Sequence, residues 1–194
     1  YDKLLLPQDS PLRKAVVISN PLGEDFSIMR TISLNGMLTS LSTNFNRRNK
    51  NVRLYELGNI YLPKQVPVTE LPEERMQFTL GMYGEGDFFT MKGVIEEFLY
   101  KAGMKLKPEY DPEAGKPFLH PGRQANVVYD GTVIGYLGEV HPTVAANYAI
   151  KERVYVAVLD MPEIVSRASF DHKYEGIAKF PAAARDISMV VPKK

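Results

Sequence analysis

Between Ser33 and Asn46 the apolar residues Leu34, Met37, Leu38, Leu41 and Phe45 recur at i, i+3, i+4, i+7 and i+11. That spacing places them on one face of an amphipathic helix. Thr31 or Ser33 can cap its start, and Arg47, Arg48 and Lys50 suit the negative end of its dipole. A second helix is predicted over Phe88 to Ala102, with Met91, Val94, Ile95, Phe98 and Leu99 inward, Asp87 as N-cap and Gly103 as its stop. Elsewhere the pattern is that of strands. Lys14 to Ser19 is a short β-rich run ended by Asn20-Pro21. Val52 to Tyr61 reads as one strand bent at Gly58 or as two, and Met76 to Tyr83 as another, with a Pro-rich loop over Leu62 to Arg75 between them. Asn126 to Val140 predicts a hairpin, since Asp130-Gly131 suits a two-residue type I′ turn. Pro142 to Ile150 reads as a short helix, Val154 to Leu159 as a strand, Pro162 to Ser166 as a helical turn, and Phe180 to Val191 as a last strand. Strands outnumber helices without regular βαβ alternation. The predicted fold is therefore α+β, a mainly antiparallel sheet flanked by helices.

Composition narrows the function. The chain has 194 residues, with 24 Lys and Arg against 23 Asp and Glu, a net charge of +1. A 44% hydrophobic content supports a sizeable core. So balanced a charge argues against a general polyanion binder, whose affinity comes from clustered cations neutralising phosphates. The absence of cysteine excludes a disulfide framework, a thiolate metal site and a Cys nucleophile, and fits a reducing cytoplasm. No apolar run approaches the roughly 20 residues of a bilayer-spanning helix, so no membrane role is expected. The chain opens on Tyr1 and closes in mid-strand, and so reads as a piece of a longer protein.

Candidate chemistry is sparse. Of the three histidines, His120, His141 and His172, no two have helical ligand spacing. Glu139 and His141 share a strand face and can approach one metal, but two ligands without a third read as a locally bonded pair. Gly84, Gly86 and Gly93 lack the Gly-Lys-Ser/Thr of a phosphate cradle. Ser166 and Ser169 lack a nucleophile elbow. Glu73-Glu74 and Glu96-Glu97 are adjacent, hence splayed rather than convergent. The cluster Arg47-Arg48-Asn49-Lys50 can touch RNA phosphates or simply solvate a helix end. No catalytic, cofactor-binding or metal-binding residue is assigned.

Several blocks together go further. Asn20-Pro-Leu-Gly-Glu-Asp-Phe-Ser-Ile-Met-Arg-Thr-Ile-Ser-Leu34, Asn44-Phe-Asn-Arg-Arg-Asn49 and Val52-Arg-Leu-Tyr-Glu-Leu-Gly-Asn-Ile-Tyr61 resemble the β subunits of bacterial phenylalanyl-tRNA synthetases. Asp87-Phe-Phe-Thr-Met-Lys-Gly-Val-Ile-Glu96, Leu119-His-Pro-Gly-Arg123 and Ile134-Gly-Tyr-Leu-Gly-Glu-Val-His-Pro142 follow in the family's order. The resemblance implies a class II aminoacyl-tRNA synthetase-like core over residues 1–170. Residues 171–194 would be a linker and the truncated start of a ferredoxin-like anticodon-binding domain. It also implies an α2β2 parent enzyme in the cytoplasm whose α subunit charges tRNA(Phe) with phenylalanine, using ATP and magnesium.

One departure decides what this module does. A working class II site needs an Arg soon after a strand, because charge builds on the ATP α-phosphorus as the adenylate forms. Here that place holds Leu62, and a late Gly-x-Gly-x-x-x-Arg stretch is absent. The chain is therefore expected to be a non-catalytic module that packs on the α subunit and helps place tRNA, with no cofactor of its own. Two alternatives stand beside this reading. One is an RNA-binding module using Arg47, Arg48, Lys50 and Arg123. The other is a vestigial small-ligand pocket formed by Arg30, Glu56 and His120.

Overall fold

The computed structural model describes residues 1–171, 174 and 185–190. Six strands, β1 (Val52–Leu62), β2 (Glu73–Tyr83), β3 (Glu109–Asp111), β4 (Leu119–Tyr129), β5 (Thr132–Val140) and β6 (Val154–Asp160), form one sheet in the order β1-β2-β6-β5-β4-β3. Every neighbouring pair is antiparallel. Four helices accompany it: α1 (Leu34–Asn46), α2 (Phe88–Lys101), α3 (Pro142–Asn147) and α4 (Met161–Val165).

The period-2 alternation of strand side chains divides the core in two. On one face Val154 and Val156 of β6 join Leu38 and Leu41 of α1, Val144 of α3, and Leu4 and Leu6 of the N-terminal segment. On the other, Tyr155, Ala157 and Leu159 join Met91, Ile95 and Leu99 of α2 and Ile164 of α4. β6 is thus covered on both sides, which is why Val154 to Leu159 is an unbroken apolar run.

Local signals act as the sequence implies at most positions. Asp87 caps α2 in a capping box, its carboxylate accepting from the Thr90 N–H at 2.8 Å while the Thr90 hydroxyl accepts from the Asp87 N–H at 3.2 Å. Asp130 and Gly131 both have positive φ, 48° and 72°, as a type I′ turn requires. Gly103 takes φ 77° after α2.

Five expectations are corrected. Lys14 to Ser19 adds no strand to the sheet; it makes a single bridge, Val17 to Ile28, within its own loop. Its apolar residues have no sheet neighbour, and Val17 stays 71% exposed. Gly58 does not divide β1, which runs unbroken for 11 residues. β2 begins at Glu73, so the Pro-rich loop is shorter than expected. β4 begins at Leu119, with a register shift before Gln124, where Pro121 can offer no ladder hydrogen. Ser33 stands at the N-cap of α1 but makes no capping bond, because its hydroxyl is used across the core by Gln77 and Thr79. Half of the run predicted as a last strand, Phe180 to Val191, lies outside the described residues; within it, Arg185 to Val190 carry no strand.

Candidate nucleic-acid interface and the closed sheet face

Arg30 and Glu56 meet as an ion pair beside β1. The Arg30 Nε also donates to the Asn59 carbonyl at 2.7 Å, and the Tyr61 N–H donates to the Arg30 carbonyl at 2.8 Å. A Cβ on Gly58 would lie 2.3 Å from the Arg30 Nη2. Gly58 therefore makes room for the ion pair, and Arg30 ties the segment entering α1 to β1.

His120 is elsewhere. It lines a cleft with Arg123 and Glu139, whereas Arg30 lines one with Ile18, Phe26 and Ile28. Arg30, Glu56 and His120 share no cavity among those described. The vestigial pocket grouped from sequence is not assembled, because Glu56, with Arg30 paired to it, lies on β1 and His120 on β4, with β2, β6 and β5 between them. His120 and His141 instead make the same local turn: each Nδ1 accepts a backbone N–H two residues on, from Gly122 at 3.1 Å and from Thr143 at 3.2 Å. Among the described residues no three His, Asp or Glu side chains converge as metal ligands.

Leu62 closes β1 and lines a cavity of about 470 Å³ with Leu6, Leu12, Ile60, Phe118 and Tyr136. Its polar lining residues are Thr31, Gln77, Ser10 and Lys116. Burial pushes the Tyr136 phenol well above its usual range, which marks these walls as poorly solvated. A triphosphate and its divalent cation need several cations and carboxylates converging on the sheet. Among the described residues Lys116 is the one cation in this lining, and that donor set does not fit them.

The basic candidates gather at one end of the sheet. Val52, Tyr83 and Val154 are register partners across β1, β2 and β6, and Leu119 faces Val140 across β4 and β5. The segments leaving that row hold Arg47, Arg48 and Lys50 after α1, Arg123 on β4, and Lys151 and Arg153 before β6. Arg47, Arg48 and Lys50 are exposed. Arg123 donates through Nη1 to both oxygens of the buried Glu139, at 3.0 and 3.1 Å. The Arg153 Nε stands 3.9 Å from the same carboxylate. Sequence reading missed Arg153 and Phe89. The second had a signal: successive residues on a helix diverge by about 100°, so Phe88 and Phe89 cannot both face the core. Phe88 packs inward and Phe89 is 72% exposed.

A second exposed patch flanks α1. Val17, Leu22, Phe26 and Ile28, all on the loop before the helix, are 71%, 100%, 69% and 40% exposed. That is the outward counterpart of the tie made by Arg30.

The family model for the phenylalanyl-tRNA synthetase β chain CLM domain matches residues 1–161. The chain belongs to that family. It is 44% identical over 191 residues to the phenylalanine–tRNA ligase β subunit of Clostridium acetobutylicum, covering 98% of this chain and 24% of that one. It is 35% identical over 204 residues to the same subunit of Symbiobacterium thermophilum, covering 98% and 22%. The chain thus spans about a quarter of the length of these curated relatives. In fold it is similar to the crystal structure of pyrrolysyl-tRNA synthetase from Desulfitobacterium hafniense, with a TM-score of 0.64 at 13% identity over 84% of this chain and 56% of that one. The apolar Leu62 cavity and the exposed patch beside α1 are therefore features of a β-chain CLM domain.

Proposed function

We propose that this CLM domain is the non-catalytic, class II-like module of an α2β2 phenylalanyl-tRNA synthetase, packing on the catalytic α subunit and helping to place tRNA(Phe). Residues 1–170 form the module. The α subunit supplies ATP- and magnesium-dependent activation of phenylalanine in the cytoplasm, and this module contributes surface. The observation that carries the packing half is the patch of Val17, Leu22, Phe26 and Ile28. Side chains this apolar on an ordered loop fit a protein partner better than water. The apolar lining at Leu62 supports the non-catalytic half, since among the described residues no guanidinium lines it to meet an α-phosphate. For the tRNA half, Arg47, Arg48, Lys50 and Arg123 are the phosphate contacts, and their placement at one end of the sheet supports it.

The test pairs the chain with its cognate α subunit. Sedimentation of the mixture is expected to show a heteromeric complex that the double variant Leu22→Ser/Phe26→Ser abolishes. ATP–pyrophosphate exchange by the chain alone is expected to stay at background. Phenylalanine-dependent exchange without α would overturn the non-catalytic reading, and a wild-type complex with the double variant would overturn the packing surface.

A further inference from the structure

The end of the sheet carries a cleft of about 440 Å³ lined by Phe89, Arg123, Glu139, Arg153 and Tyr155. A second cleft, about 530 Å³, adjoins it across Arg123 and Arg153 and is walled by Ala145, Ala149 and Ile150. Glu139 is 4% exposed, and Arg123 reaches both its oxygens through Nη1 alone. The charge of that carboxylate is therefore met, while the Arg123 Nε and Nη2 make no hydrogen bond among the described residues. Arg153 makes none either, and its side chain is 68% exposed. Two planar guanidinium forks with unused donors match the oxygens of a phosphate. Besides Glu139, the acids lining the two clefts are Asp87, engaged by Thr90 as the cap of α2, and the exposed Glu152 on the side of the second cleft. In the same cleft the ring of Phe89 stands edge-on to Phe88, at 85° and 5.8 Å between centroids, and is left open to solvent.

We propose that this end of the sheet is a single-stranded RNA site, in which a nucleotide places its phosphate on Arg123 and Arg153 and stacks its base on Phe89. A cation pair alone would take any phosphate, and a lone exposed aromatic any apolar group. Their sharing one cleft matches the two chemically distinct halves of a nucleotide. A duplex, with its bases stacked internally, cannot use Phe89. The inference deepens the tRNA-placing half of the reading above and names residues outside the Arg47–Lys50 cluster. It does not depend on the patch beside α1.

Fluorescence anisotropy with a labelled eight-nucleotide RNA and its duplex, at two salt concentrations, tests it on the 194-residue chain. Single strand is expected to bind more tightly than duplex. Phe89→Ala should weaken single-strand binding by about ten-fold with an unchanged salt slope. Arg153→Gln should weaken it and lower the slope by about 0.7. Both residues are mostly exposed, so neither change disturbs the core. Because Arg123→Gln alone would leave Glu139 buried and unpaired, Arg123 is tested as Arg123→Gln/Glu139→Gln, expected to behave like Arg153→Gln. Wild-type affinity in Phe89→Ala and Arg153→Gln, or equal affinity for duplex, overturns the site. If tRNA binding then falls only with Arg47→Gln/Arg48→Gln, the tRNA-placing reading survives and this one does not.

Discussion

Gly58 shows how much one missing methyl group can decide. Alanine there would put a Cβ 2.3 Å from the Arg30 Nη2 and 3.0 Å from the Glu56 Oε1. The ends of the two ion-paired side chains would have to shift aside. Gly58→Ala is expected to lower unfolding stability by up to about 1 kcal/mol in urea denaturation, the worth of a partly exposed ion pair. Gly23→Ala, with nothing within 4 Å of its new Cβ, should change it by less than about 0.5 kcal/mol. Asp87 gives a prediction in pH. The Thr90 N–H, and then the Thr90 hydroxyl, hold its carboxyl below the usual carboxylate range. Its contribution is therefore complete above the unfolded value near pH 4 and is lost as pH falls through the lower folded value. Thermal melts between pH 7 and 3 should show wild type losing its advantage over Asp87→Asn below pH 4. Only the second of these two roles was legible in the sequence. An N-cap bonds a neighbour three residues on, whereas the partner of Gly58 lies 28 positions away.

At the scale of elements, the 3.6-residue period was sufficient for α1 and α2, an unbroken apolar run for β6, and the Asp130-Gly131 turn for the β4–β5 hairpin. What they could not supply was the extent of strands held by pairing. β4 gains Leu119 because it faces Val140, and β2 gains Glu73 because it faces Leu62. Neither stretch has a strong alternation of its own. β3 was not anticipated at all: three residues carry no period, and pairing with Asn126 to Val128 makes the strand. Both helices should be equally intolerant of truncation, since Leu38 and Ile95 are fully buried on opposite faces of the sheet. Leu38→Ala and Ile95→Ala are each expected to cost about 2–5 kcal/mol, measured by urea denaturation. Gly103→Ala should also destabilise, since φ 77° disfavours a side chain and the new Cβ would fall 1.6 Å from the Ser169 carbonyl oxygen.

Over the whole molecule, the two core clusters and the exposed patch make opposite demands. Among the described residues Leu22 and Phe26 of the patch beside α1 are mostly exposed and belong to neither core cluster. Leu22→Ser/Phe26→Ser should therefore leave the urea midpoint nearly unchanged while abolishing association with the α subunit. The same substitutions in a core face would unfold the domain. That contrast separates a surface kept for a partner from one kept for stability.

The sequence by itself determined the α+β class, the helices, the turn chemistry and membership of the β-chain family. Each of these rests on neighbours a few residues apart or on the order of motifs. Leu62, too, was readable as the wrong residue for holding an α-phosphate. Only the tertiary structure separated His120 from Arg30 and Glu56, spent Arg30 on the β1 tie, and brought Arg123, Arg153 and Phe89 around one cleft. Strand order decides such groupings. In an antiparallel sheet, residues far apart in the chain become neighbours only once the pairing β1-β2-β6-β5-β4-β3 is set, an order in which β6, buried on both faces, lies between β2 and β5.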